Sequence, residues 1–159
     1  MFIVWWWHWQ APYRTLNSFL RALEMGDLDT LYSLTPVYER KYVGLDLKLI
    51  RHTYTNYLKP RFLDKHHLVR IQKFPQLRHW WKHGREVPFF LWYQDDKGQQ
   101  KVTAVSVVRP LGEEEWKVPF SYFVYCVTKT LYGADRALEI AQQLGYSVIA
   151  DPQGGVIQK

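Results

Sequence analysis

His79 and His83 stand four residues apart, the spacing that sets two imidazoles on one helix face, as metal ligation needs. The adjacent pair His66 and His67 would point to opposite sides of a strand and does not serve one ion together. Only Asp64 or Glu86 is close enough in sequence to complete a set, so no metal centre is expected and no cofactor is implied. Cys126 is the one cysteine. It has no local His and carboxylate to activate it and reads as a buried thiol in a strand. Without a second cysteine there is no internal disulfide, and the redox compartment stays open.

Phosphate chemistry has a denser candidate. Residues 59–85 hold Lys59, Arg61, Lys65, Arg70, Lys73, Arg78, Lys82 and Arg85 against one acid inside the run, Asp64. Phe62, Phe74, Trp80 and Trp81 are interleaved with them. Cations attract phosphate, and exposed rings stack on bases or sit at a lipid interface. A solvated basic face with anchoring rings is the first reading. An anionic membrane surface is the second, through Arg70, Lys73, Arg78, Trp80, Trp81, Lys82 and Arg85; nucleic acid is disfavoured. The net charge of +6 permits an anionic partner without requiring one.

The N-terminus bears on location. Phe2-Ile3-Val4-Trp5-Trp6-Trp7-His8-Trp9 is apolar and too short to span a bilayer, which takes about 20 residues. It lacks the basic region and cleavage site of a signal peptide. Four Trp within five residues resemble the interfacial end of a membrane segment. Two readings stand: a first strand or arm packed on the domain or a second subunit, or the stub of a membrane anchor. The anchor would place the domain outside the cytoplasm, and the arm would leave it cytoplasmic.

The elements that must position these residues fit one domain of 159 residues with 17% aromatic content, enough rings to build a core or line a pocket. Residues 1–12 read as arm or anchor stub, 13–132 as an α+β unit and 133–159 as an extension of it. Leu16, Phe19, Leu20 and Leu23 recur at helical spacing from Pro12 to Gly26. Asp27 caps a second helix, and a further turn takes in Tyr38 and Tyr42 before Gly44. A third helix begins at Asp46, with Leu47, Ile50, Tyr54, Tyr57 and Leu58 on one face, and is expected to stop at Pro60. Strands are expected at 67–71, 87–94 and 101–109, the last two joined by Asp95-Asp96-Lys97-Gly98, and a long final strand at 115–128. Pro119 within it marks a bulge or an edge. Residues 134–144 form a helix closed by Gly145, 146–149 a short strand and Gly154-Gly155 a turn.

Leu20-Arg21-Ala22-Leu23-Glu24-Met25-Gly26-Asp27-Leu28-Asp29-Thr30-Leu31-Tyr32-Ser33-Leu34 resembles the opening of the nuclear-transport-factor-two-like superfamily, and Glu115-Trp116-Lys117-Val118 is similar to the entry of its last strand. The resemblance covers residues 15–132. It implies three N-terminal helices packed on a curved antiparallel sheet, a cone whose mouth takes an apolar or amphipathic ligand, and a homodimer through the outer sheet face, with rings of 87–93 as the first place to look. Members include isomerases, cyclases, dehydratases, transport factors and membrane-anchored scaffold subunits, so the fold alone does not give the chemistry.

The steroid-isomerase branch carries over poorly. Its oxyanion-stabilising Tyr falls at Phe19 and its general-base Asp at Val43, neither of which handles a proton. His52 with Asp46 on the third helix is the remaining acid–base candidate for a cyclase or dehydratase. The leading expectation is a non-catalytic binding or scaffold domain, membrane-tethered under the anchor reading of the N-terminus, with an isomerase, cyclase or dehydratase as runner-up. By alternation along the final strand, Trp116, Val118, Phe120 and Tyr122 would share a face opposite Tyr54 and Tyr57. Tyr54, Tyr57, Trp116, Phe120 and Tyr122 are thus the expected pocket residues, for a small apolar ligand.

Overall fold

The computed structural model describes residues 2–73 and 84–157, with side chains described over 10–73 and 85–157. It is an α+β structure in which helices precede a three-stranded antiparallel sheet and two further helices follow.

Helix α1 (Phe2–Met25) runs straight through Pro12, where a helix start was expected. Proline removes one rung of the ladder, and burial of its ring offsets part of that cost. The helix therefore joins the Trp-rich segment to the domain without a break. No described helix is long and apolar enough to cross a membrane. Leu16, Phe19 and Leu23 are buried along one face of α1.

Gly26 ends α1 at φ +68, a left-handed conformation that favours glycine, and a Cβ there would stand 3.3 Å from the Tyr54 hydroxyl, a tight approach. Asp27 then accepts from Thr30 N (3.2 Å) and caps α2 (Leu28–Ser33). A first π-helical segment (Glu39–Val43) ends at Gly44.

Asp46 caps α3 (Leu47–Thr53), accepting from Leu49 N at 2.7 Å. Replacing Asp46 by alanine is expected to cost about 1 kcal/mol in urea unfolding; an unchanged midpoint would show that the cap contributes nothing. Contrary to expectation, α3 does not stop at Pro60 but continues as a second π-helical segment (Tyr54–Leu63). The wider turn relieves the contact between the proline ring and the carbonyl a turn earlier, which in an α-helix forces a break.

Strands β1 (His66–Lys73), β2 (Gly84–Asp95) and β3 (Gln100–Pro110) pair in that order. A bulge lies between Leu68 and Arg70, and Lys73 stands opposite Phe89. In the β2–β3 hairpin Gly98 sits at φ +79, and Asp95 Oδ1 accepts from Lys97 N and Gln99 N, both at 2.9 Å. Phe89, Leu91 and Tyr93 of β2 and Val105 and Val107 of β3 are buried. Phe89 meets Tyr13 of α1 edge-on at 4.9 Å.

The expected final strand over 115–128 is overturned. Only Lys117 bridges to β3, opposite Val108, and α4 (Phe120–Tyr132) then begins directly after Pro119. Aromatic and β-branched content favours a strand there, but Phe120, Phe123, Val124, Val127 and Thr128 are buried at helical spacing. Proline before the first turn gives up no helical bond. Cys126 is therefore buried on a helix rather than in a strand, and burial pushes its thiol up to about 11.

Lys117 and Val108 exchange backbone bonds, and the Thr130 hydroxyl donates to Val102 O at 3.1 Å, so this segment and α4 cover the outer edge of β3. Helix α5 (Ala134–Leu144) closes at Gly145 as expected and packs on α4. The short strands β4 (Ile149–Ala150) and β5 (Val156–Ile157) complete the chain. They pair through a turn containing Gly154 and Gly155.

Candidate functional site

Toward its C-terminus α1 stands off from the sheet, and a cleft of about 810 Å³ opens between α1, the second π-helical segment and β1. Asn17, Leu20, Arg21 and Glu24 of α1 line it. Their spacing is that of one helix stripe, adjacent to the stripe that Leu16, Phe19 and Leu23 turn into the core. Tyr54, Lys59 and Leu63 form a second wall, and His66, His67, Leu68 and Ile71 of β1 with Tyr93 of β2 form the third.

The cleft has an apolar body and a charged rim. Leu20, Leu23, Leu63, Ile71 and Tyr93 supply the apolar surface. Tyr54 donates its hydroxyl to Leu23 O at 2.8 Å, tying the wall to the end of α1, and burial raises its pKa. Phe62 meets Tyr93 edge-on at 4.6 Å and stacks on His66, whose Nδ1 donates to Phe62 O at 2.9 Å. On the rim Lys59 donates to Asp64 at 2.8 Å with both groups about half-exposed, where solvent screens the pair. That hydrogen bond holds the Lys59 ammonium above its usual pKa.

Of the five expected pocket residues, Tyr54 alone lines the cleft. The Tyr57 hydroxyl instead shares a buried 2.8 Å hydrogen bond with Thr128. Trp116 lies under the Arg109 guanidinium at 5.7 Å, and Phe120 is fully buried. Tyr122 sits beside Cys126 on α4, with its phenol pushed well up by burial. The strand alternation that grouped these residues is absent because the segment from Phe120 is helical.

The acid–base pair does not assemble either. Asp46 is spent on its cap, and His52 Nδ1 lies 2.9 Å from Asn56 Nδ2 on an exposed surface away from the cleft. Tyr93, one of the rings expected to face outward for a dimer, is buried; Trp92 is half-buried and carries the Arg70 guanidinium 4.5 Å above its ring. Arg70 and Trp92 Nε1 both donate to Gln72 Oε1, at 3.4 and 3.3 Å. Lys73 ends the described part of β1, and Arg85 follows Gly84 at the start of β2. Arg78, His79, Trp80, Trp81, Lys82 and His83 lie outside the described residues. Among the described residues no three His, Cys, Asp or Glu gather as a metal would require.

Sequence reading missed one chemically distinctive residue. Glu39 is completely buried, and its carboxylate accepts from Ser121 N (3.1 Å), Tyr122 N (3.3 Å) and the Ser121 hydroxyl at the N-terminus of α4. Burial pushes it up to about 7, against the lowering effect of these donors. Within Tyr38-Glu39-Arg40-Lys41 it reads as a solvated charge, and nothing local signals otherwise. It does not line the cleft and is saturated by α4, so its arrangement is that of a structural cap rather than a proton-transfer group.

Compared with protein-family models, curated proteins and solved structures, the chain matches none.

Proposed function

We propose that this chain is a non-catalytic binding domain whose cleft takes the apolar part of a small amphipathic ligand. The observation that carries the reading is the cleft itself. Its volume of about 810 Å³ lies within the range of small-molecule sites, and its apolar body is ringed by Asn17, Arg21, Glu24, Lys59, Asp64, His66 and His67. Neither His52 nor Glu39 reaches it, which supports binding over chemistry. The likeness to the nuclear-transport-factor-two-like superfamily belongs to this proposal. Helix order and the Gly26-Asp27 junction support it, while α4 in place of a last strand departs from it.

Titration with an anilinonaphthalene sulfonate dye, followed by displacement with a medium-chain fatty acid, tests the reading. Saturable one-to-one binding is expected in the native chain. Leu20→Arg, which drives a cation into the cleft from a half-buried position on α1, is expected to weaken it at least tenfold, equivalent to about 1.4 kcal/mol. Equal affinity in that variant, with its fold intact by circular dichroism, would remove the cleft as the site.

A further inference from the structure

The Trp-rich turns and the basic strands, far apart in sequence, converge at one end of the molecule. Tyr13 of α1 touches Phe89, which pairs with Lys73, whereas Leu23, ten residues on, lines the cleft together with Tyr93 and Leu68. Helix α1 therefore runs alongside β2 in the same direction and against β1. Continuing back from Tyr13 at about 1.5 Å per residue, it carries Trp9 and Trp5 roughly 6 and 12 Å further, toward the end where β2 begins at Gly84 and Arg85. Lys73 ends the described part of β1 there, and Arg85 pairs in register with Arg109 of β3.

We propose that this end of the molecule seats on a bilayer surface containing anionic lipid. Tryptophan partitions to the headgroup zone, and residues 2–10 carry four of them with no Lys, Arg, Asp or Glu. Lys73, Arg85 and Arg109 supply the attraction to anionic headgroups. The acids near this end temper it: Glu86 accepts from the Ser106 hydroxyl at 2.8 Å, Glu115 pairs with Lys117 at 3.3 Å, and Glu113 and Glu114 follow β3. The ring-bearing turns thus set the bulk of the affinity and the cations its lipid preference.

Co-sedimentation of the 159-residue chain with phosphatidylcholine vesicles, with and without one-fifth phosphatidylglycerol, tests this directly. Stronger, salt-sensitive binding to the mixed vesicles is expected, with tryptophan fluorescence quenched by brominated lipid. Trp5→Ser, Trp6→Ser and Trp9→Ser together should lower partitioning at least tenfold. Lys73→Glu with Arg85→Glu should lower it severalfold on the anionic vesicles only. Circular dichroism and dye binding in the cleft check that each variant is folded. Absence of vesicle binding, binding unchanged by the tryptophan variant, or equal binding with and without phosphatidylglycerol would overturn the proposal. So would binding to a single-stranded oligonucleotide in place of vesicles, or a dimer dissolved by the tryptophan variant that never binds lipid.

Discussion

Glu39→Ala is expected to lower stability by about 3 kcal/mol, because it strips a buried acceptor from three donors at once. Ser121 N, Tyr122 N and the Ser121 hydroxyl would be left without their partner in a site that water does not reach. The carboxylate also joins the first π-helical segment to the start of α4 across 82 residues of chain, so the loss loosens two elements. Glu39→Gln keeps an oxygen acceptor and should cost less, about 1–2 kcal/mol at acidic pH.

The same residue makes stability depend on pH with a defined sign. The folded chain holds the Glu39 proton to about pH 7, above the ordinary value of 4.5. Folding therefore takes up a proton between these values. The stabilisation is full below about 4.5 and is lost as pH rises through about 7, by up to about 3 kcal/mol in total. Around Glu39 the phenols of Tyr38, Tyr122 and Tyr146 are all pushed upward and stay neutral over this window. Unfolding of wild type and Glu39→Gln in urea from pH 4.5 to 8 separates this residue from the rest. The gap between them should shrink or reverse as pH rises, and parallel curves would show that Glu39 does not titrate there.

Phe19→Ala is expected to be more damaging still, at about 4 kcal/mol. Phe19 is fully buried where α1 meets both sheet and α4, and its ring stands edge-on to Phe123 at 5.1 Å. Its removal leaves a void that α1, held at Gly26 and Tyr54, has little freedom to close. A loss under 1 kcal/mol in chemical denaturation would mean that α1 does not pack as described. The position also bears on mechanism. Phe19 faces Phe123 rather than the cleft, so even a hydroxyl at this site would point into the core.

What the sequence disclosed divides along a physical line. Helix α5, the cap at Asp27, the start of the third helix at Asp46 and the Asp95–Gly98 hairpin were legible because local residues determine them. The second π-helical segment and α4 were not. Pro60 ordinarily ends a helix, and the segment after Pro119 has aromatic and β-branched residues on nearly every side, so composition argued for strand while only the buried set revealed the 3.6 period. The strand expected over 115–128 had grouped Trp116, Phe120 and Tyr122 in the pocket, and none of the three lines the cleft, while Tyr57 is turned away by its bond to Thr128. Tyr54 was found because it shares a helix face with Ile50, whereas Arg21, Leu20 and Ile71 join the site only through the standoff of α1 from β1. Glu39 was invisible for the same reason: its burial is decided by a helix end 82 positions away.

Amide chemical shifts of the labelled chain, followed while the dye or a medium-chain fatty acid is added, test the binding cleft most directly. The account predicts saturating shifts centred on Leu20–Glu24 of α1, Lys59–Asp64 and His66–Ile71, with little change in α5. Shifts that cluster elsewhere, or that never saturate, would contradict it.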